Sequence, residues 1–397
     1  MRCFQADLVF TLSGPPIPNG IVVTDQAGTI LDVGAETLKE RYPGVEKEVL
    51  HGALCPGFIN THCHLELSVM KGSLQQGTGM AGFIREFISK RGSFSREESL
   101  EDILKGEQEM LENGIVAVGD IANTNHSFDQ KANGNLYYHT FLEAFDLHPS
   151  RASESFLQTR KLREELVARV PGSTTHSAVV PHAPYTVSPA LHEKISAYAH
   201  QHNTILCIHS QESNVEDDLF RKGTGPLKEM YDVLKLDYSW FKATGTSSLE
   251  STLGYYKRNR KLLLVHNTRA SKQDMLLPSG ALQLFWATCP RANLFIENKL
   301  PDYSAMLEAG LKITIGTDSL ASNTSLSVLE EMKTIAEAIP TIDLQTLVEW
   351  ACINGAEFMD ISKQYGTLEK GKKPGLVLIS DLEGGRLTAI SKAKRIL

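Results

Sequence analysis

The chain predicts an α/β fold in which eight parallel strands close into a barrel, with a smaller β domain outside it. Three observations predict this. Short apolar runs alternate with helical patterns through the middle of the 397 residues, and eight such runs can be counted, the number that closes a barrel. Each run is about four to eight residues long, which reads as a strand buried on both faces, as a parallel sheet covered by helices requires. Four of the runs also end in a residue able to hold a metal ion, so their C-terminal ends should meet at one place.

The elements follow in order. In the first fifty residues, β-type stretches at Asp7 to Leu12, Gly20 to Thr24 and Thr29 to Val33 are separated by turns rich in Gly, Pro and Asn, which reads as a small antiparallel sheet. The eight barrel strands are then expected at Gly57 to His62, Ile115 to Asp120, Tyr137 to Ala144, His176 to Pro181, Thr204 to His209, Leu262 to His266, Leu284 to Cys289 and Lys312 to Thr317. Helical segments lie between them, including Glu97 to Glu112, Arg151 to Ala168, and Pro189 to His202 with Ser188 as N-cap. Gly79 to Phe87 reads either as a loop or short helix covering a substrate, with Phe83 or Phe87 stacking and Arg85 binding an anion, or as packing on the barrel. Near the C-terminus, the turn Gly371-Lys372-Lys373-Pro374-Gly375 precedes the β run Leu376 to Ser380. The terminal fragments are easiest to reconcile as one discontinuous β domain of residues 1–55 and 365–397, flanking a catalytic unit of residues 56–364.

Composition excludes some function classes. Hydrophobic residues at 42%, charged residues at 22% and a formal charge of -7 leave no basic footprint for nucleic acid. Cys3, Cys55, Cys63, Cys207, Cys289 and Cys352 form no CxxC pair and mostly lie in apolar runs, so reduced buried thiols and a cytoplasmic location are expected. The N-terminus lacks the pattern of a signal peptide, and no run approaches 18 apolar residues, so no export or membrane span is expected.

His62 and His64 stand two apart at a strand end, and the strand period of two points both imidazoles the same way. Cys63 faces the other way, which argues against a thiolate ligand. His209 ends the fifth run, with Glu212 three residues on, where a carboxyl can carry protons between water and substrate. Asp318 follows the last apolar run and needs a buried partner, which a cation or a bound water supplies. His266 ends the sixth run in the same manner. His62, His64, His209 and Asp318 are therefore expected around one cation, with His266 beside it. Three neutral imidazoles and one carboxylate suit Zn²⁺ first and Fe²⁺ second, and leave room for water.

These residues lie in longer motifs: Pro56-Gly57-Phe58-Ile59-Asn60-Thr61-His62-Cys63-His64-Leu65-Glu66, His182-Ala183-Pro184-Tyr185-Thr186-Val187-Ser188-Pro189, His209-Ser210-Gln211-Glu212-Ser213, Val265-His266-Asn267, Cys289-Pro290-Arg291-Ala292-Asn293 and Gly316-Thr317-Asp318-Ser319-Leu320-Ala321-Ser322-Asn323. Through them nearly the whole chain resembles the amidohydrolase superfamily, within it the chlorohydrolase and aminohydrolase branch that includes guanine, adenosylhomocysteine and aminofutalosine deaminases. The resemblance implies a distorted TIM (β/α)8 barrel with a small β-sandwich formed from both termini. It implies His62, His64, His209 and Asp318 as metal ligands, Glu212 as proton shuttle and His266 as partner of the attacking water. It implies His182 as a substrate contact and Glu66 as a reader of the substrate ring. Binuclear relatives carry a carboxylated lysine after the fourth strand, and no lysine occurs here from Leu162 to Glu193, so a single metal is expected. Pro374-Gly375 replaces the family's usual Ala-Asp in the C-terminal turn.

The expected activity is hydrolytic deamination of an aminated, purine- or nucleoside-like heterocycle with release of ammonia. Asp318 and His266 would orient the water and Glu212 would protonate a ring nitrogen. Dechlorination of a triazine-like ring, opening of a cyclic amide, and a non-catalytic scaffold are the rival readings. The expected partner is a small heterocyclic substrate, with no nucleic acid or membrane, and a homodimer is compatible with the family.

Overall fold

A computed structural model describes residues 1–397. All eight expected strands form: β1 Phe58–Cys63, β2 Ile115–Ala122, β3 Tyr137–Ala144, β4 Ser177–Pro181, β5 Leu206–Ser210, β6 Lys261–His266, β7 Gln283–Thr288 and β8 Ile313–Ile315. They pair in parallel as two four-stranded sheets, β1-β2-β3-β4 and β5-β6-β7-β8. Every residue of β1, β2, β4 and β5 is buried, which is why these segments read as unbroken apolar runs. One apolar cluster of 68 buried residues runs through both sheets and the surrounding helices.

The outer strands of the two sheets also touch. At one edge the backbone N–H groups of Thr317 and Asp318 both donate to the His62 carbonyl at 3.0 Å, and Asn60 exchanges hydrogen bonds with Thr317. Gly316 permits this approach, because a Cβ there would stand 2.8 Å from the His62 Cβ and 2.9 Å from its carbonyl oxygen. At the other edge the His209 N–H donates to the His182 carbonyl at 2.9 Å.

The long helices match the sequence expectation closely, at Arg96–Glu112, Ala152–Arg169 and Pro189–His202. Ser188 does occupy the N-cap position of the last, but its side chain makes no capping bond. Ser95 caps the first in a capping box with Glu98. Gly79–Lys90 is a regular helix of 12 residues. Its Phe83 and Phe87 stack at 6.4 Å between centroids and pack beside Met70, Leu74 and Ala321, whereas Ile84 joins a separate cluster around Tyr185 and Leu219. The helix therefore bridges the segments that follow β1, β8 and β4.

Both termini share one seven-stranded sheet. The strand Lys47–Pro56 pairs in parallel with Arg2–Val9 on one side and antiparallel with Leu376–Ser380 on the other, so a single ladder joins the two ends of the chain. Its faces bury separate clusters, one around Phe4, Val22 and Leu54, the other around Cys3, Ile21 and Val23 beneath Leu38. No helix is long and apolar enough to cross a membrane.

Candidate active site

The C-terminal ends of β1, β5, β6 and β8 converge. His62 ends on β1 with its ring centroid 4.9 Å from those of both His64 and His209, and 5.8 Å from that of His266. The donor atoms of His62, His64 and His209 lie within 4.8 Å of one another. Asp318 joins them, its Oδ1 3.7 Å from His62 Nε2 and 3.6 Å from His64 Nε2. All four side chains are buried.

The donor set fits a divalent metal on three grounds. His62 Nε2 and His64 Nε2 are 3.2 Å apart, close to the separation of about 3.3 Å that tetrahedral ligands adopt around zinc at about 2.0–2.1 Å. His209 Nδ1 donates to the His182 carbonyl at 2.8 Å, which fixes the tautomer and leaves Nε2 with its lone pair facing the cluster. Burial lowers the basicity of the rings, holding His64 and His209 at a pKa of about 3 and His62 well below its ordinary value, so all three are neutral donors.

Two of these strand ends are strained. His266 has φ 76° and Asp318 has φ 56°, both in the left-handed region that side chains other than glycine seldom adopt. Such conformations cost of order 1–3 kcal/mol and persist where surrounding contacts enforce them. Asn267, itself at φ 56°, supplies some: its Nδ2 donates to the Leu264 carbonyl at 2.8 Å and its N–H to the Ser210 carbonyl at 2.9 Å. Ser322 Oγ donates to Asp318 Oδ2 at 2.8 Å, leaving Oδ1 toward the histidines.

Glu212 is buried, with Oε1 3.6 Å from His266 Nε2. Burial pushes its carboxyl well above the usual carboxylate range, and the charges of Asp318 and Glu297 push it the same way, which favours the protonated form. Glu216 braces it by accepting from the backbone N–H groups of Gln211 at 3.1 Å and Glu212 at 3.2 Å. His266 Nδ1 meets Asn293 Oδ1 at 2.8 Å, so its Nε2 is the free nitrogen facing Glu212.

The remaining expected residues divide. His182 does reach the site: its ring is 4.9 Å from that of His209, and its Nδ1 pairs with Thr186 Oγ1 at 2.7 Å. Glu66 is buried after β1, but both its oxygens are engaged, Oε1 by the N–H of Asn123 at 2.9 Å and Oε2 by the N–H and hydroxyl of Thr124 at 3.1 and 2.8 Å. Arg291 turns to Asn323 and Thr324 and so ties loops together. All six cysteines are free and buried, Cys63 among them.

Sequence reasoning missed four residues here. Glu143 and Glu216 are buried carboxylates beside the cluster, and Phe145, 51% exposed, stands 6.3 Å from the His182 ring. Glu143 carried the same signal that found Asp318, a charged residue at the end of an apolar run. Asp120 was visible only as a strand terminus. Its Oδ2 pairs with fully buried Lys131 at 2.6 Å, and its Oδ1 accepts from the Leu65 N–H at 2.8 Å, next to His64.

Parallel strands whose C-terminal ends gather three neutral imidazoles and a carboxylate define an α/β enzyme with a site suited to a divalent metal. The chain belongs to the amidohydrolase family, whose model matches residues 53–395. It is 27% identical over 367 residues to aminodeoxyfutalosine deaminase of Deinococcus radiodurans, covering 89% of this chain and 84% of that one. Among solved structures it is similar to Helicobacter pylori aminofutalosine deaminase in complex with methylthio-coformycin, with a TM-score of 0.83, 24% identity and full coverage of both chains. An adenosine deaminase of Xanthomonas campestris with bound zinc superposes with a TM-score of 0.72 at 20% identity, over 98% of this chain and 87% of that one.

Proposed function

We propose that this chain is a metal-dependent hydrolytic deaminase of an aminated heterocycle of the purine or nucleoside kind. The observation that carries the reading is the convergence of His62, His64, His209 and Asp318 with Glu212 buried beside His266 next to them. The deaminases it resembles support the substrate class. In this reading the two parallel sheets are halves of one distorted (β/α)8 barrel of residues 56–364, and residues 1–55 and 365–397 form the outer domain.

His62, His64, His209 and Asp318 would hold one divalent ion, with zinc the first choice because a zinc-bound structural relative accompanies a nitrogen-rich donor set. Such an ion, when bound, makes hydroxide available near neutral pH by lowering the pKa of water from about 15.7 to about 7. The chain's own groups carry the protons. Asp318 accepts one from the attacking water, which His266 orients through Nε2. Glu212 gives its proton to the ring nitrogen next to the carbon under attack, so that the carbon becomes tetrahedral and bears both hydroxyl and amino groups. Asp318 then passes its proton to the amino group, ammonia leaves, and the hydroxyl proton returns to Glu212, which restores the ring as its oxo form. His182, its ring 4.9 Å from that of His209, would contact the heterocycle.

The test is ammonia release from a panel of aminopurines, their nucleosides, pterins and aminopyrimidines. The expected result is turnover of an adenosine-type nucleoside that chelation abolishes and zinc restores. Chloride release from a chlorotriazine, or ring opening of a cyclic amide, without ammonia would replace this reading with a rival.

A further inference from the structure

One carboxylate beside the cluster has no part in that reaction. Glu143, near the end of β3, is 7% exposed. Its Oε2 accepts from Asn123 Nδ2 at 3.1 Å, while its Oε1 is buried and accepts no hydrogen bond. That oxygen lies 3.6 Å from His209 Nδ1, and Glu143, His182 and His209 present donor atoms within 4.8 Å of one another. The ion-pair partners of Glu143 and Asp318 are histidines alone. A buried carboxylate without a cation is unfavourable, so this pair of acids calls for positive charge that no lysine or arginine supplies.

We propose that Glu143 is a positioning residue for the candidate metal centre. It fixes His209 from behind and balances, through that imidazole, the charge of a divalent ion that Asp318 alone leaves half neutralised. Glu66 belongs to the same device. By binding the backbone of Asn123 and Thr124 it sets the Asn123 side chain against Glu143, giving a hydrogen-bonded path from the segment after β1 to Glu143, whose other oxygen stands 3.6 Å from His209 Nδ1. The donor geometry excludes a ligand role for the His209 Nδ1 atom, which already donates to the His182 carbonyl. This inference rests on the metal-centre reading and adds to it what tunes the affinity.

The experiment measures zinc affinity in the full-length protein by competition with a chromogenic chelator, together with the thermal midpoints of the metal-free and zinc-loaded forms. Glu143→Gln keeps the shape and the Asn123 contact. It is expected to weaken zinc binding by about 10- to 100-fold, while the metal-free variant is at least as stable as the unaltered protein, because an acid whose only ion-pair partner is a histidine has been replaced by a neutral amide. Glu143→Asp should recover part of the affinity. An unchanged dissociation constant overturns the inference, as does a metal-free variant destabilised as much as the loaded one, which marks Glu143 as packing. Should Glu143→Gln not fold, the same measurements on Asn123→Ala decide, weaker binding supporting the inference and unchanged binding overturning it. Unaltered protein that takes up no stoichiometric zinc overturns the site reading and this inference with it; tight binding that survives the substitution overturns the inference alone.

Discussion

At the scale of single residues, the environment of Glu212 decides what it can do. Burial pushes the Glu212 carboxyl well above the usual carboxylate range, which favours the form that can donate, where an exposed glutamate cannot. Replacing Glu212 by Gln removes the transferable proton but leaves the ligand set alone. Turnover should fall by about 10² to 10⁴ with metal content unchanged, measured by steady-state ammonia release and elemental analysis. A variant with near-normal turnover would remove Glu212 from the reaction. His62 and His64 were legible because a spacing of two at a strand end leaves them one direction. The roles of Glu143 and Glu66 were not, because which donors meet a carboxylate depends on the segment at Asn123 and Thr124, far away in the chain.

At the scale of elements, the eight strands were legible because burial on both faces forces apolar composition, and a run of about four to eight such residues is too short for an ordinary helix. The Gly79–Lys90 helix was ambiguous because its apolar residues serve two clusters on different sides, so no single stripe marks a buried face. The pair between Asp120 on β2 and Lys131 on the Phe128–Ala132 helix also escaped notice, since a charged residue in a short helix reads as solvated. Lys131→Met leaves Asp120 alone in a sealed environment. It should destabilise the fold by about 3–5 kcal/mol in urea unfolding, and Lys131→Met combined with Asp120→Asn should recover much of that loss. Equal losses in the single and double variants would show that the pair contributes packing and not charge compensation.

At the scale of the whole molecule, acid sensitivity follows from histidines remote from the site. Burial holds His139 and His192 neutral, each at a pKa of about 3, against an ordinary value near 6.5. Below about 6.5 the unfolded chain therefore binds protons that the folded chain refuses, so stability rises with pH through this window. It should be lost progressively as pH falls from about 6.5 to about 3, by up to about 1.4 kcal/mol per pH unit for each group, in denaturant titrations of metal-free protein. A flat profile across that window would place these rings in contact with water. Removing a bound ion should lower the thermal midpoint reversibly, since a ligand at about 100 times its dissociation constant stabilises by about 2.7 kcal/mol. The seam between β1 and β8 gives the cluster a temporal meaning. His62 and His64 leave the ribosome well before Asp318, and the backbone bonds between His62 and Asp318 join the first and last strands of the two parallel sheets. A growing chain thus displays imidazoles long before it possesses the acid that completes the cage. An ion would meet its full set of candidate ligands only once Asp318 has emerged, and a product truncated before β8 would lack that acid.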